Sequence, residues 1–315
     1  MQFTTKIPIQ KSSFPIDYDS KILLLGSCFA ENMGEKFDYF KFQTAVNPFG
    51  IIFNPVSLEQ LIRRSVENRQ FTENDIFFHN ELWHSFEVHS ELSNPDKEAF
   101  LESLNDLLSS TNNQLSDSTH IIITLGTSWV YRNIKTDEIV ANCHKVPQKE
   151  FKKELLSIHQ IEESLESIIS LVRLVNPNCK FIFTISPVRH IKDGFAENSL
   201  SKAHLIAALH SSNFQLPTSS YFPSYEIMMD ELRDYRFYTE DMLHPNQTAV
   251  DYIWKLFHEN YIAESEYEIM NKIDSIQKGL KHRPFNPNTQ SHKKFVEQLN
   301  KKMQLIKNQL PFIKF

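Results

Sequence analysis

Three short runs of almost uninterrupted apolar residues decide most of what this chain can become. Lys21-Ile22-Leu23-Leu24-Leu25 stops at Gly26, His120-Ile121-Ile122-Ile123-Thr124-Leu125 stops at Gly126, and Lys180-Phe181-Ile182-Phe183-Thr184-Ile185 stops at Ser186-Pro187. A strand that is apolar at nearly every position has both faces buried, the condition of a parallel sheet covered by helices. The segments between these runs carry helical spacing, as in Phe29, Met33, Phe37 and Phe40, and helices are expected near 57–68, 96–110, 160–175, 199–211 and 248–259. Shorter strands fit 43–46 and 219–222, and the alternation in 76–79 and 83–89 suggests a small β insertion. Strands that alternate with helices pair in parallel through right-handed crossovers. The expected fold class is therefore α/β, a three-layer α/β/α sandwich on a mostly parallel sheet.

The chain has 315 residues, 41% of them hydrophobic, enough for one large domain with additions. Residues 1–262 are read as the α/β domain. Beyond them the composition turns basic, with Pro284 and Pro287 in a linker and a closing helix that aligns Phe295, Leu299, Met303, Ile306 and Leu310. Residues 263–315 are thus read as a basic helical extension packed on the main domain, and a homodimer through the last helix is the alternative use of that apolar stripe. A net charge of -6 argues against a nucleic-acid partner. Three widely spaced cysteines suit free thiols in a reducing compartment. With no leader pattern at the N-terminus and no apolar stretch of ~18 residues, the expected location is cytoplasmic, with no membrane span.

In a sheet of this kind ligands bind beyond the carboxyl ends of the strands. Gly26-Ser27-Cys28, Gly126-Thr127-Ser128 and Ser186-Pro187-Val188-Arg189 then share one rim. A side chain at the start of the helix after Gly26 faces unpaired N–H groups that favour an anion, and burial or N-capping are the bland roles of Cys28 and Ser27. The second feature is Asp241-Met242-Leu243-His244-Pro245-Asn246. Its spacing lets the carboxylate fix the imidazole tautomer, leaving the other ring nitrogen as a general base. His84, His89, His144 and His190 with Cys143 lack the tight spacing of a zinc motif, so no metal or other cofactor is expected. Arg189 and His190 follow a strand end, where Arg189 suits a substrate carboxylate or phosphate, or else pairs with Asp230, Glu231 or Asp234. The charged and aromatic stretch Tyr225–Arg236 is read as a structural network beside the site.

Several strings together resemble the GSCFA-domain family, which is grouped with the SGNH/GDSL hydrolases: Gly26-Ser27-Cys28-Phe29-Ala30, Asn47-Pro48-Phe49-Gly50, Ala141-Asn142-Cys143-His144-Lys145, Ser186-Pro187-Val188-Arg189-His190, and the run from Tyr221 through Arg236 to His244. The resemblance spans roughly residues 20 to 260. It implies a flavodoxin-like sandwich and an esterase or acyl-hydrolase ancestry. SGNH enzymes present Gly-Asp-Ser after the first strand, so an ungapped comparison puts Cys28 at the nucleophile position and Ser27 at the aspartate. Asp241 and His244 match the final block. The asparagine that follows the third-block glycine is missing, since Gly126 is followed by Thr127 and Ser128, and oxyanion or substrate contacts would fall to these residues or to Asn47 and Gly50. The implied reaction is hydrolysis or transfer of an acyl ester of a small molecule or carbohydrate. A thiol at a helix N-terminus near a histidine is expected to have a depressed pKa. The rivals are a fold that binds a ligand without turnover, and a scaffold that recruits a partner through the basic C-terminal helix.

Overall fold

A computed structural model describes residues 4–211 and 217–315. The first apolar run forms β1 (Lys21–Gly26), and α1 (Cys28–Tyr39) starts directly behind it with Ser27 as its N-cap. Then follow β2 (Gln43–Val46) and α2 (Pro55–Val66), which is entered through Asn54 and Pro55. Asn54 Oδ1 accepts from Ser57 N at 2.9 Å, and proline at the first helical position lacks only an N–H that would have had no partner.

The β insertion is smaller than the alternation suggests: a hairpin of β3 (Phe77–His79) and β4 (Leu82–His84). Helix α3 (Lys97–Asp117) runs past residue 110 because Thr111 and Leu115 prolong its buried stripe. After β5 (His120–Leu125) comes a part that the sequence reading did not resolve, a three-stranded antiparallel sheet of β6 (Trp129–Asn133), β7 (Ile139–Val140) and β8 (Phe151–Leu155) in the order β7-β6-β8. The chain then alternates as expected through α4 (Ile158–Val175), β9 (Lys180–Ile185), α5 (Phe195–Leu209) and β10 (Ser219–Phe222). The charged stretch after β10 forms a single turn, α6 (Ser224–Glu226), that widens into a π-helical turn over Ile227–Glu231. Helix α7 (Gln247–Tyr261) closes the sandwich, and α8 (Tyr267–Lys281) and α9 (Gln290–Gln309) complete the chain.

The central sheet has the order β10-β9-β5-β1-β2, and every pair in it is parallel. Counted along the chain its strands stand 2-1-3-4-5, the doubly wound arrangement whose order reverses between the first and third strands. Strand alternation sends Leu23, Leu25, Ile121, Ile123, Phe181 and Phe183 into one core with α2 to α5, and Ile22, Leu24, Ile122 and Ile182 into the other with α1 and α7. The second core also takes in Met270, Ile273, Ile276, Leu299 and Ile306. The apolar stripe of α9 is thus occupied within the chain at Leu299 and Ile306, while Phe295 stays exposed. Tyr39 Oη at the end of α1 donates to Asp274 Oδ1 at 2.9 Å, and Gln277 Nε2 donates to Tyr39 O at 2.9 Å. No helix among the described residues is long and apolar enough to cross a membrane.

Candidate active site

The strand order reverses between β1 and β5, and the Gly26 turn lies at that point. Gly26 has φ +131°, and a Cβ there would lie 2.1 Å from Thr124 O. Only glycine tolerates both the backbone and the approach. The turn is pinned on both sides: Gly26 N donates to Asn47 Oδ1 at 2.8 Å, Ser27 N to Thr124 O at 3.0 Å, and Ile52 N to Gly26 O at 3.1 Å. Asn47 itself has φ +41°, in the left-handed region where asparagine is among the better-tolerated residues. Its side chain thus shapes the turn.

The two candidates behind the turn differ sharply. Ser27 is 1% exposed and its Oγ accepts from Phe29 N at 3.3 Å, so it serves as the N-cap of α1. Cys28 is the first helical residue and is partly exposed. The expected depression of its thiol pKa is not found. Burial and the Glu31 carboxylate one turn along push it up, and the Lys202 cation and the amides of Cys28 and Phe29 oppose them without prevailing.

Asp241 and His244 occupy a tight loop rather than a helix. Met242 turns the chain at φ +60°, Thr239 N donates to His244 O at 2.8 Å, and Asn246 holds the base of the loop by donating to Arg236 O at 2.7 Å while capping α7. His244 Nδ1 lies 2.5 Å from Asp241 Oδ2. The other carboxylate oxygen accepts from Thr239 Oγ1 at 2.7 Å, Leu243 N at 2.8 Å and His244 N at 3.0 Å. These donors, the His244 amide foremost, hold the Asp241 carboxyl far below the usual carboxylate range. An acceptor-only carboxylate on Nδ1 places the ring proton there and leaves Nε2 to accept one.

The remaining rim residues divide into framework and lining. Thr127 and Ser128 are buried and tied to α5. Thr127 Oγ1 lies 2.8 Å from Ser201 Oγ, and Ser128 N donates to Ser201 Oγ at 2.8 Å while its hydroxyl donates to Ser201 O at 3.1 Å. Gly126 N donates to Phe53 O at 2.7 Å and Gly50 N to Asn47 O at 2.7 Å, so both amides are spent on the loops themselves. Arg189 makes none of the acidic pairs open to it: Asp230 pairs with Arg233, Asp234 with Arg236, and Glu231 with Lys6. Its guanidinium lies 5.6 Å from the Phe195 ring centre and its buried Nε has no hydrogen-bond partner among the described residues. His190 packs on Phe53, its backbone N–H donates to Asn198 Oδ1 at 2.8 Å, and its buried Nε2 has no partner among the described residues. Burial, Lys202, His244 and Lys192 push the His190 imidazole down to about 4. The His84 ring at the end of β4 lies 4.6 Å from that of His144, tilted against it, and no three metal-ligating side chains converge among the described residues.

Lys202 was missed by the sequence reading. It is 1% exposed, and its Nζ donates to Ser186 O, just past the end of β9, at 2.8 Å. The signal was there. The buried stripe of α5 runs Asn198, Ser201, Lys202, Leu205, Ala208 and Leu209, and its first two turns, nearest the strand ends, are polar. The charge of Lys202 acts on both Cys28 and His190, and that of His244 on His190. Among the described residues neither Ser27 nor Cys28 is hydrogen-bonded to His244. Two open grooves of about 760 and 880 Å³ lie elsewhere, one beside Lys6 and Glu231 and the other beside β10, and neither is lined by Cys28 or His244.

Fold and site together define a doubly wound α/β protein with a cysteine at the sheet's reversal point and a carboxylate-oriented imidazole in the loop before its last sheet-packing helix. The chain belongs to the GSCFA family, whose model matches residues 21–257, and residues 273–315 match the C-terminal domain of GSCFA domain proteins. No curated protein matches the chain.

Proposed function

We propose that the protein is an acyl-ester hydrolase or acyltransferase in which Cys28 attacks the acyl carbon, His244 takes and returns the proton that the reaction moves, and Asp241 orients His244. The observation that carries this reading is the Asp241–His244 pair: an imidazole held at 2.5 Å by a carboxylate with three further donors, its Nε2 left without a partner among the described residues. A relation to the SGNH/GDSL hydrolases gives the same assignment, with Cys28 standing where those enzymes have serine. The commitment of Ser27 Oγ to the helix cap favours the cysteine over the serine. The Cys28 N–H at the start of α1 supplies the oxyanion contact, since the amides of Phe29, Ala30, Gly50, Gly126 and Ser128 are already bonded. Arg189, half-buried and without a carboxylate partner among the described residues, is positioned for an acidic group on the substrate. The substrate class is a small-molecule or carbohydrate ester, handled in the cytoplasm.

The test is a panel of short-chain acyl esters given to the wild type, Cys28→Ala and His244→Ala. Hydrolysis by the wild type that both variants lose supports the reading, and a wild type that cleaves none of them overturns it. Binding without turnover is the second reading, favoured by the missing hydrogen bond between Cys28 and His244. It predicts an affinity for such esters that survives His244→Ala.

A further inference from the structure

Hydrogen-bond donors outnumber acceptors along one seam of the rim, where the loop after β9 lies on α5. Three contacts close that seam. Lys202 Nζ donates to Ser186 O at 2.8 Å, the backbone N–H of His190 donates to Asn198 Oδ1 at 2.8 Å, and the Arg189 guanidinium lies 5.6 Å from the Phe195 ring centre. Phe195, Asn198 and Lys202 recur at helical spacing and share one face of α5. Because a backbone N–H can only donate, it fixes the Asn198 amide with Oδ1 toward it, and the other end is an NH2 group. Asn198 is 1% exposed, and its Nδ2 is buried without a partner among the described residues, as are Arg189 Nε and His190 Nε2. Gly126 keeps the last of these clear, since a Cβ there would lie 3.2 Å from His190 Nε2 and 2.7 Å from Phe53 Cβ. The nearby acids are engaged elsewhere. Asp193 pairs with Lys153 at 2.5 Å, both Glu226 oxygens take the Tyr221 hydroxyl at 2.8 Å, and Glu197 Oε2 folds back on the start of its own helix, 1.9 Å from where a Cβ on Gly194 would stand. Buried donors without acceptors are costly, so three of them in one seam fit a ligand that brings acceptors.

We propose that Arg189, His190 and Asn198 form one carboxylate subsite, so that the ester this protein selects bears a free carboxylate. The inference rests on the proposed ester chemistry for the rest of the ligand, and it adds His190 and Asn198 to Arg189 as the residues that choose it. Arg189 Nε and Asn198 Nδ2 donate to the carboxylate oxygens, and His190 donates from Nε2. Burial keeps that imidazole neutral at neutral pH, and a neutral ring carries its single proton on the nitrogen that meets an acceptor. The one guanidinium in the seam matches the single charge of a carboxylate, whereas a phosphate dianion brings a second. Of the neighbouring cations, Lys192 is exposed and Lys202 Nζ is bonded to Ser186 O. The Phe195 ring beneath the guanidinium holds its plane in place while leaving its hydrogen-bonding edge to the ligand.

The experiment titrates the full chain by calorimetry at neutral pH with succinate, with succinamide as its uncharged counterpart, and with inorganic phosphate. Succinate should saturate one site that succinamide does not fill, and phosphate should bind more weakly. Arg189→Gln removes a charge-assisted hydrogen bond and should weaken succinate by about tenfold or more. Asn198→Asp keeps the oxygen that accepts from the His190 amide but turns the donor into a second oxygen of a carboxylate, so it should abolish succinate binding. A wild type that takes up succinate no better than succinamide, or an Arg189→Gln variant with wild-type affinity, overturns the inference. Tighter binding of phosphate than of succinate overturns the choice of a carboxylate. Should Asn198→Asp fail to fold, the ring nitrogens of His190 decide: succinate should shift their resonances in the wild type, and unmoved resonances contradict the subsite. No turnover is needed for any of these readings. A protein that cleaves no ester but binds succinate through Arg189 loses the proposed reaction and keeps the subsite, and one that hydrolyses esters but does not bind succinate loses the subsite and keeps the reaction.

Discussion

Asp241 organises more of its surroundings than any other exposed carboxylate in the chain, holding the imidazole with one oxygen and the loop with the other. Asp241→Asn keeps the size of the side chain but weakens both sets of contacts. It should lower ester turnover by roughly 10²–10⁴, as should His244→Ala, with the fold retained by circular dichroism in both. Burial gives two other histidines a measurable pH signature. His144 and His190 are both pushed down to about 4 from an ordinary 6.5, so between those values the unfolded chain binds more protons than the native one. Stability is therefore full above 6.5 and falls as the pH drops toward 4, with a slope of up to about 1.4 kcal/mol per pH unit for each histidine. Urea midpoints at pH 7, 5.5 and 4.5 read this directly, and a midpoint that does not move would refute it. At this scale Asp241 and His244 were legible because their spacing is local and proline and asparagine follow them. Lys202 was not, because it lies in a helix that reads as ordinary and meets its hydrogen-bond partner, the Ser186 carbonyl, 16 residues away past the end of β9.

Among the elements, the strands with both faces apolar announced themselves, and so did the glycine that ends the first. Gly26→Ala would force a Cβ against the Thr124 carbonyl in a backbone conformation that alanine avoids, and should cost several kcal/mol or prevent folding, as read by chemical denaturation. The antiparallel sheet of β6, β7 and β8 was illegible for a physical reason. Its strands are short, β8 reads Phe-Lys-Lys-Glu-Leu, and its pairing is set by partners in the same subdomain rather than by apolar runs. The β3–β4 region is tied to α2 by Arg64, whose side chain is 1% exposed. Arg64 donates to Glu87 at 2.6 and 2.8 Å, to Asp75 at 2.7 Å, and to the carbonyls of Arg69 and Gln70. Removing one partner of such a network leaves charges without compensation, so Arg64→Met should destabilise by about 3–5 kcal/mol. A loss below about 1 kcal/mol would mean that the network contributes little.

For the whole molecule, the basic C-terminal stretch contributes side chains to the second core. Met270, Ile273, Ile276, Leu299 and Ile306 are all less than 10% exposed and pack with residues of α1 and α7. Each such side chain contributes on the order of 1.5–3 kcal/mol by burial. Ending the chain at residue 266 should therefore lower Tm by on the order of 10 °C or more, or make the protein aggregate. A truncated chain with an unchanged Tm would show that the extension is a separate unit. The apolar stripe of α9 was legible in the sequence, but its destination was not, because a helix face of that kind serves an internal core and a second copy equally well. The central claim, a Cys28 nucleophile served by the Asp241–His244 pair, is tested most directly by incubating the protein with p-nitrophenyl acetate and mapping the acyl group by mass spectrometry. The account predicts a thioester on Cys28 that forms in the wild type, is absent in Cys28→Ala and is resolved more slowly in His244→Ala. An acyl group on Ser27, or none anywhere on the wild type, would contradict it.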